Sequence, residues 1–337
     1  MSVVIHEIIN SFKTLSIGAQ KDVVSSLQRI VEDQEVCVSR REILDNKQGE
    51  CPHCGHPKYV KFGTDKNARR YKCKSCNRSF TEYSGTWLAG LHRKDMVNSY
   101  ITLMLEEKSL DKISQTLHIN KKTAFDWRHK ILSSLDGTDK NEFIGITESD
   151  ETFFPFSEKG KKTLERPGRK RGGEIHKAGI SDQQVAVIVT ADRKKELCLD
   201  VATLGRIKKS DIESSIGEQI GQGTILCSDA HVSYKGFAID HHLEHHTLKA
   251  NTKEFVEKGI YHIQNINSLH NRLKRWISQE FWGVSTKYLQ KYLNWFRYKE
   301  EFKNDPNFVG KFSTKVIENI KTQYNYRDTI IKYELLL

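Results

Sequence analysis

Apolar residues recur every three or four positions through residues 1–45. Ile5, Ile8, Ile9 and Phe12 mark one stripe, and Val23, Val24, Leu27, Ile30 and Val31 mark another. That period places side chains on one face of an α-helix, so the segment predicts a helical N-terminal arm, either a small helical unit or a partner-binding element. Over 46–90 the pattern shortens. KYVKFGTDKNARRYK (58–72) alternates polar and apolar residues around a turn, as a short hairpin does. The aromatic stretch SFTEYSGTWLAG (79–90) that follows is expected to pack this segment onto its neighbour.

Helical spacing returns over 91–138. Met96, Val97, Tyr100, Ile101, Met104 and Leu105 give a first amphipathic helix. Leu110, Ile113 and Leu117 give a second, and a polar turn at His118–Asn120 leads to a third with Ala124, Trp127, Ile131 and Leu132. The last two read as a helix-turn-helix. Such a motif presents the N-terminal residues of its second helix to the major groove, here Lys121, Lys122, Thr123 and Asp126. An ordinary helical hairpin has the same periodicity.

After a polar linker at 136–142, residues 139–300 change to strands mixed with helices. FIGITESDETFF (143–154), QVAVIVTAD (184–192), ELCLDVAT (196–203) and GTILCSDA (223–230) read as strands. Helix patterns cover 208–220, Asn265 to Trp276 and Lys287 to Lys299, so the fold class is α/β. Residues 301–337 form a tail of mixed helix and loop.

Composition sharpens this outline. The 337 residues carry a formal charge of +11, and it is unevenly spread. Residues 58–94 hold ten Lys/Arg against two acids and 159–177 hold eight against two, which leaves the remainder net acidic. Two concentrated basic patches point to a polyanion, with counterion release as the driving force. Within the first patch lie two CxxC pairs, Cys51/Cys54 and Cys73/Cys76, eighteen residues apart. That spacing lets two knuckles close one tetrahedral thiolate site, so 46–90 reads as a ribbon holding one structural Zn²⁺. The N-terminus shows no apolar signal core and no run spans a membrane, so a reducing compartment is expected and disulfides are not. Cys37, Cys198 and Cys227 read as buried small apolar residues.

Candidate chemistry lies in the α/β segment. Asp150 and Asp229 sit in or at the end of apolar strands, where a carboxylate is costly unless paired or holding a metal. Such oxygen ligands suit Mg²⁺ or Mn²⁺, and two ions can serve both the attacking and the leaving oxygen of a phosphodiester. A helix cap or a salt bridge would explain either aspartate taken singly. Glu148 shares the strand face of Asp150 and reads chiefly as a buried ion pair, whereas Glu151 points to the opposite face. On the helix at 262–276, Asn267 and Lys274 lie seven residues apart and share a face. The histidines of Asp240-His241-His242-Leu243-Glu244-His245-His246 read as incidental to a strand or turn. Trp276, Trp282 and Trp295 read as packing residues.

These stretches carry a resemblance. ESDETFF around Asp150, RPGRKRGG (166–173), CSDAHVSY around Asp229, HIQNINSLHNRLKRW (262–276) and GVSTKYLQKYLNWF (283–296) together resemble the bacterial insertion-sequence transposases of the ISXO-like group. The resemblance spans roughly residues 50–300. It implies a zinc ribbon and helix-turn-helix ahead of a ribonuclease-H-like catalytic domain of the DDNK type. Carried over residue by residue, Asp150, Asp229, Asn267 and Lys274 become the catalytic tetrad, the first three holding the divalent ions. Arg169, Lys170 and Arg171 become DNA-gripping residues, although a solvated insertion would show the same charge run. The implied activity is metal-dependent cleavage and strand transfer of DNA by a dimer or larger assembly on transposon ends and target, in the bacterial cytoplasm at the nucleoid. The rivals are an inactive DNA-binding regulator and a structure-selective nuclease.

Overall fold

The computed structural model describes residues 3–65, 68–137, 141–161, 163–164, 179–248 and 256–318. Arg169, Lys170 and Arg171 lie outside these. The chain divides into two compact units, one of residues 1–128 with 306–324 and one of residues 129–305 with 325–337.

The first unit opens with α1 (Val3–Lys13) and α2 (Ile17–Asp45). Ser16 starts α2 as an N-cap, its hydroxyl accepting from the Ala19 amide at 3.3 Å. Ile5, Ile8 and Ile9 of α1 remain exposed. The expected hairpin forms as β1 (Tyr59–Asp65) and β2 (Ala68–Cys73), and β3 (Ser79–Thr81) adds a third antiparallel strand. Tyr59, Tyr71 and Phe80 alternate onto one face of this sheet and pack together, with ring centroids 5.5–5.6 Å apart. The ribbon is bound to the end of α2 by polar contacts. The Arg41 guanidinium grips the fully buried Glu82 at 2.7 and 2.9 Å, Glu82 also accepts from the Arg69 amide, and the Tyr71 hydroxyl donates to Asp45 at 2.8 Å.

Next come α3 (Val97–Leu105), α4 (Leu110–Thr116) and α5 (Lys121–Ser133). Tyr100, Ile101, Met104, Ile113, Ala124 and Trp127 are buried, as their spacing anticipates. The turn between α4 and α5 has His118 in the left-handed region (φ 51°), and the Asn120 side chain caps α5 by accepting from the Lys122 amide at 2.8 Å. A helix over Phe308–Glu318 packs on α2 and α3.

The second unit is built on a five-stranded mixed sheet. Its strands are β4 (Ile146–Pro155), β5 (Gln184–Asp192), β6 (Leu197–Leu204), β7 (Ile225–Asp229) and β8 (Glu244–Leu248), in the order β6-β5-β4-β7-β8. β4, β5 and β6 run antiparallel, and β4, β7 and β8 run parallel. Helix α6 (Lys209–Ile216) precedes β7, and α7 (Val232–Asp240) joins β7 to β8. α8 (Gln264–Glu280) and α9 (Thr286–Phe302) follow. The run Val185–Val189 of β5 is buried throughout, because helices lie on both sides of the sheet. Ile188, Leu226, Ile212, Ile216, Tyr234 and Phe237 share one core beneath α6 and α7. α8 packs against β4 and β5, while α9 covers β6. Gln290 of α9 satisfies the β6 backbone, accepting from the Val201 amide at 2.8 Å and donating to the Leu199 carbonyl at 2.9 Å.

The orientation of α8 is fixed by one buried acid. Glu148 of β4 accepts from the Asn265 amide (3.0 Å), the Asn265 side chain (2.8 Å) and the Ile266 amide (3.2 Å), all in the first turn of α8. Negative charge belongs at a helix N-terminus, where amides lack intrahelical acceptors. The Arg193 guanidinium, from the turn joining β5 to β6, closes the pair at 2.9 Å. Glu148 is therefore the buried ion pair expected of it, and a helix cap as well. We predict that Glu148→Ala destabilises the protein by on the order of 3 kcal/mol, since several buried donors and Arg193 lose their acceptor. Urea unfolding with hydrogen exchange at Asn265 and Ile266 checks this, those two amides losing protection first.

Candidate active site

β4 and β7 run side by side in parallel, with Glu148 opposite Cys227. Continuing that register by two residues sets Asp150 beside Asp229, on strands about 4.8 Å apart. Asp229 ends β7, and its Oδ1 accepts from the His231 amide at 3.0 Å as the chain turns into α7. Burial, reinforced by Glu151 and then Asp229, pushes the Asp150 carboxyl up to about 8, against an opposing pull from Lys274. Burial and Asp229 likewise push Glu151 up to about 7, with Arg206 opposing. Three carboxylates thus gather around the middle of β4 and the end of β7 without enough cationic charge to settle them.

Two of these relations were not readable from the strand pattern. Glu151 does alternate away from Asp150, yet its carboxylate remains within electrostatic reach of both aspartates, and its Oε2 is buried without a hydrogen-bond partner. His270 is the second. Its Nδ1 lies 3.9 Å from Asp150 Oδ2, and its Nε2 is buried and unpartnered. Burial and then Lys274 push the ring down to about 4, so it is neutral around pH 7 and offers a lone pair rather than a charge. Its position three residues after Asn267 and four before Lys274 placed it on their stripe.

α8 carries the remaining candidates. Ile266, Leu269, Leu273, Trp276 and Ile277 are buried, and Asn267 and Lys274 are exposed on the helix. Lys274 acts electrostatically on both Asp150 and His270 from the exposed side of the helix. Asn267 lies two turns before Lys274 on the same face. Among the described residues, no set of three Asp, Glu or His side chains brings its ligand atoms within 4.8 Å. A cation here would therefore draw on Asp150 and Asp229 with a neutral donor. Uncompensated buried acids are the donor set that a hard divalent ion fits.

The four ribbon cysteines do gather this closely. Cys51 Sγ lies 3.8 Å from Cys76 Sγ, and Cys54 Sγ lies 3.7 Å from Cys73 Sγ. Zn–S bonds of about 2.3 Å arranged tetrahedrally give S···S edges of about 3.8 Å, so the cluster matches the ion. Burial pushes the Cys51 thiol up to about 12, whereas the Cys76 and Ser75 amides pull Cys73 down to about 6.

At the start of α5, Lys121 and Lys122 are exposed and Thr123 is half-buried. Lys121 is held by Asp111 of α4 at 2.7 Å. Cys198 and Cys227 are buried, as are Trp276 and Trp295. Trp282 is not a packing residue. It is 74% exposed, because α8 ends at Glu280 and the chain turns with Trp282 at φ 53°. His246 is not incidental either. Its ring stacks on Tyr261 at 3.6 Å, and its two nitrogens each lie 2.9 Å from a carboxylate, Glu244 and Glu257. Among the described residues no helix is long and apolar enough to cross a membrane.

Residues 143–301 match the ISXO2-like transposase domain family. A protein in transposable element ISH50 of Halobacterium salinarum is 25% identical over 275 residues, covering 79% of this chain and 89% of its own. Two solved structures each cover 70% of this chain and 78% of theirs. They are a pre-cleavage Mos1 transpososome (11% identity, TM-score 0.24) and a Mos1 transposase paired-end complex with left transposon end (12%, 0.25). Both scores are too low to define a fold, which the strand order describes better. The matched segment holds the whole acidic site and is similar to the transposase domain of the ISXO-like insertion-sequence group.

Proposed function

We propose that the chain binds the terminal inverted repeats of its insertion sequence and cuts and joins DNA in a ribonuclease-H-like domain of residues 139–300. The reading is supported by one observation: Asp150 and Asp229 lie on neighbouring parallel strands and interact electrostatically, with the exposed Lys274 acting on Asp150. The sheet order β6-β5-β4-β7-β8 supports the fold assignment. Residues 1–45 would be an N-terminal arm, 46–90 a zinc ribbon, 91–138 a helix-turn-helix and 301–337 a tail.

Asp150, Asp229 and the amide oxygen of Asn267 would hold Mg²⁺ or Mn²⁺. Bound there, a divalent ion would act as a Lewis acid on the scissile phosphate and lower the pKa of an attacking water. The protein's own part is positional. Asp150 and Asp229 would supply negative charge once a cation holds Asp150 ionised, and Lys274 would hold a non-bridging phosphate oxygen as a point charge. His270, neutral and buried, lies 3.9 Å from Asp150, beyond hydrogen-bond reach, and would shape its surroundings without adding charge. Hydrolysis leaves a 3′-hydroxyl on the element and a 5′-phosphate on the flank. That hydroxyl then attacks a target phosphodiester, forming one P–O bond as another breaks, and no covalent enzyme intermediate forms. Lys121, Lys122 and Thr123 would meet the major groove, and Arg169, Lys170 and Arg171 the phosphate backbone. Two ends held together require a dimer or larger assembly on DNA.

Asn267 favours one further reading. A neutral amide leaves the site a charge short of a three-carboxylate cage, as in a copy that binds DNA without cutting it. Labelled transposon-end DNA with Mn²⁺ or Mg²⁺ separates the readings. We expect cleavage and joining, with Asp150→Ala lowering both by about 100- to 1,000-fold, the scale of lost electrostatic transition-state stabilisation. Binding without cleavage leaves the regulator, and cleavage without joining leaves a nuclease.

Metal binding is testable without DNA. Mn²⁺ at about 100 times its Kd stabilises a protein by about 2.7 kcal/mol, so the wild-type melting temperature is expected to rise with Mn²⁺ while that of Asp150→Ala stays fixed. The ribbon is expected to hold one zinc per chain by elemental analysis. Cys73→Ser is expected to lose that metal and the ribbon's protection from proteolysis, as structural zinc sites do.

A further inference from the structure

The ribbon sheet has two faces, and only one is occupied by its core. Tyr59, Tyr71, Cys73 and Phe80 point inward. On the reverse face Val60 and Phe62 of the edge strand β1 are 40% and 48% exposed. Across from them on β2 stand Arg70 and Lys72, each with its charge centre 5.4 Å from the Phe62 ring centroid. Val60 pairs with Lys72, and Lys72 with Ser79 of β3, whose hydroxyl accepts from Arg70 at 3.2 Å.

Strand alternation sorts the ribbon's cations into two groups. Lys61 and Arg69 point to the core side, where Asp45 takes them at 3.0 and 3.9 Å. Arg70 and Lys72 form no ion pair among the described residues. The exposed Lys58, Lys74 and Arg78 continue this strip at the knuckle end, where backbone bonds of 3.0 Å hold the three segments together. No residue of the strip is acidic.

We infer that this open face of the ribbon is a contact surface for the backbone of duplex DNA, Arg70 and Lys72 meeting phosphates and Phe62 and Val60 lying against the deoxyribose between them. Charge complementarity argues for a polyanion. Arg70 and Lys72 are two residues apart, about 6.8 Å along a strand, close to the separation of adjacent phosphates on one DNA strand. Both cations already sit over the Phe62 ring, so the aromatic is shared with them rather than free to stack on an unpaired base. The inference rests on the proposal that the chain binds DNA, and it adds the ribbon's own DNA-facing residues.

The test uses the full zinc-loaded chain and fluorescence anisotropy on three labelled probes. These are a duplex of the element's end, a scrambled duplex of the same composition, and the single strand. The double variant Arg70→Gln/Lys72→Gln is expected to weaken binding to both duplexes by about tenfold or more. Its plot of log affinity against log salt should be shallower by about 1.8, which is about 0.9 for each phosphate that the variant leaves unneutralised. Phe62→Ala is expected to weaken both duplexes with little change in that slope. Zinc content and melting temperature should match wild type, which separates a weakened DNA face from a misfolded ribbon. Wild-type affinity and slope in the folded double variant would overturn the inference, as would tighter wild-type binding to the single strand than to either duplex. The outcome is separable from that of the cleavage reaction. Failure of Asp150-dependent cutting sinks the transposase mechanism while leaving the ribbon result standing, and the converse also holds.

Discussion

The structure turns on a carboxylate with almost no access to water. Glu148 lies 1% exposed within β4 and is nevertheless satisfied, by Arg193 and by the first amides of α8. A buried acid tolerates so dry a position only with such partners. The partners come from the β5–β6 turn and from a helix more than a hundred residues later in the chain. Glu148 therefore sets where α8 begins. With its first turn pinned to β4, the 3.6-residue period carries Asn267, His270 and Lys274 along the helix in a fixed phase, and Ile266, Leu269 and Leu273 anchor the apolar side.

Two residues further along the same strand face, Asp150 meets the opposite treatment. Its neighbours are other acids, and burial makes its charge costly. One carboxylate is over-provided with donors and the next is left short of them. That contrast within three residues separates a satisfied structural acid from a perturbed, uncompensated one, of the kind that gathers where chemistry or metal binding needs it. The ribbon shows the same division among cations. Lys61 and Arg69 are drawn to Asp45 and serve the fold, and Arg70 and Lys72 are left on the outer face.

Much of this was legible in the residues themselves. Unbroken apolar runs such as Val185–Val189 announced strands covered on both sides, and the two CxxC pairs announced a cluster that the sulfur separations bear out. The stripe on α8 was visible from spacing alone. What escaped depended on partners distant in sequence. α7 was not assigned as an element and β8 was left as a strand or turn, since SYKGFAID mixes periods and EHHTL carries few apolar residues. Glu151 alternates away from Asp150 as strand geometry requires, and only the adjacent β7 brings Asp229 near it. Trp282 falls two residues past the end of α8, in a turn at φ 53°, so reading it as a packing residue overstated its burial. The identity of His270 as a neighbour of Asp150 needed the helix's rotation, which Glu148 supplies from outside the helix's own sequence.

The most direct measurement is anomalous diffraction from crystals of the protein grown with Mn²⁺. The account predicts a peak between Asp150 and Asp229, at roughly the 2.0–2.3 Å expected for carboxylate oxygens on a small divalent ion, with the Asn267 amide oxygen turned towards it. Density for manganese only elsewhere, with both aspartates unligated under saturating metal, would contradict it.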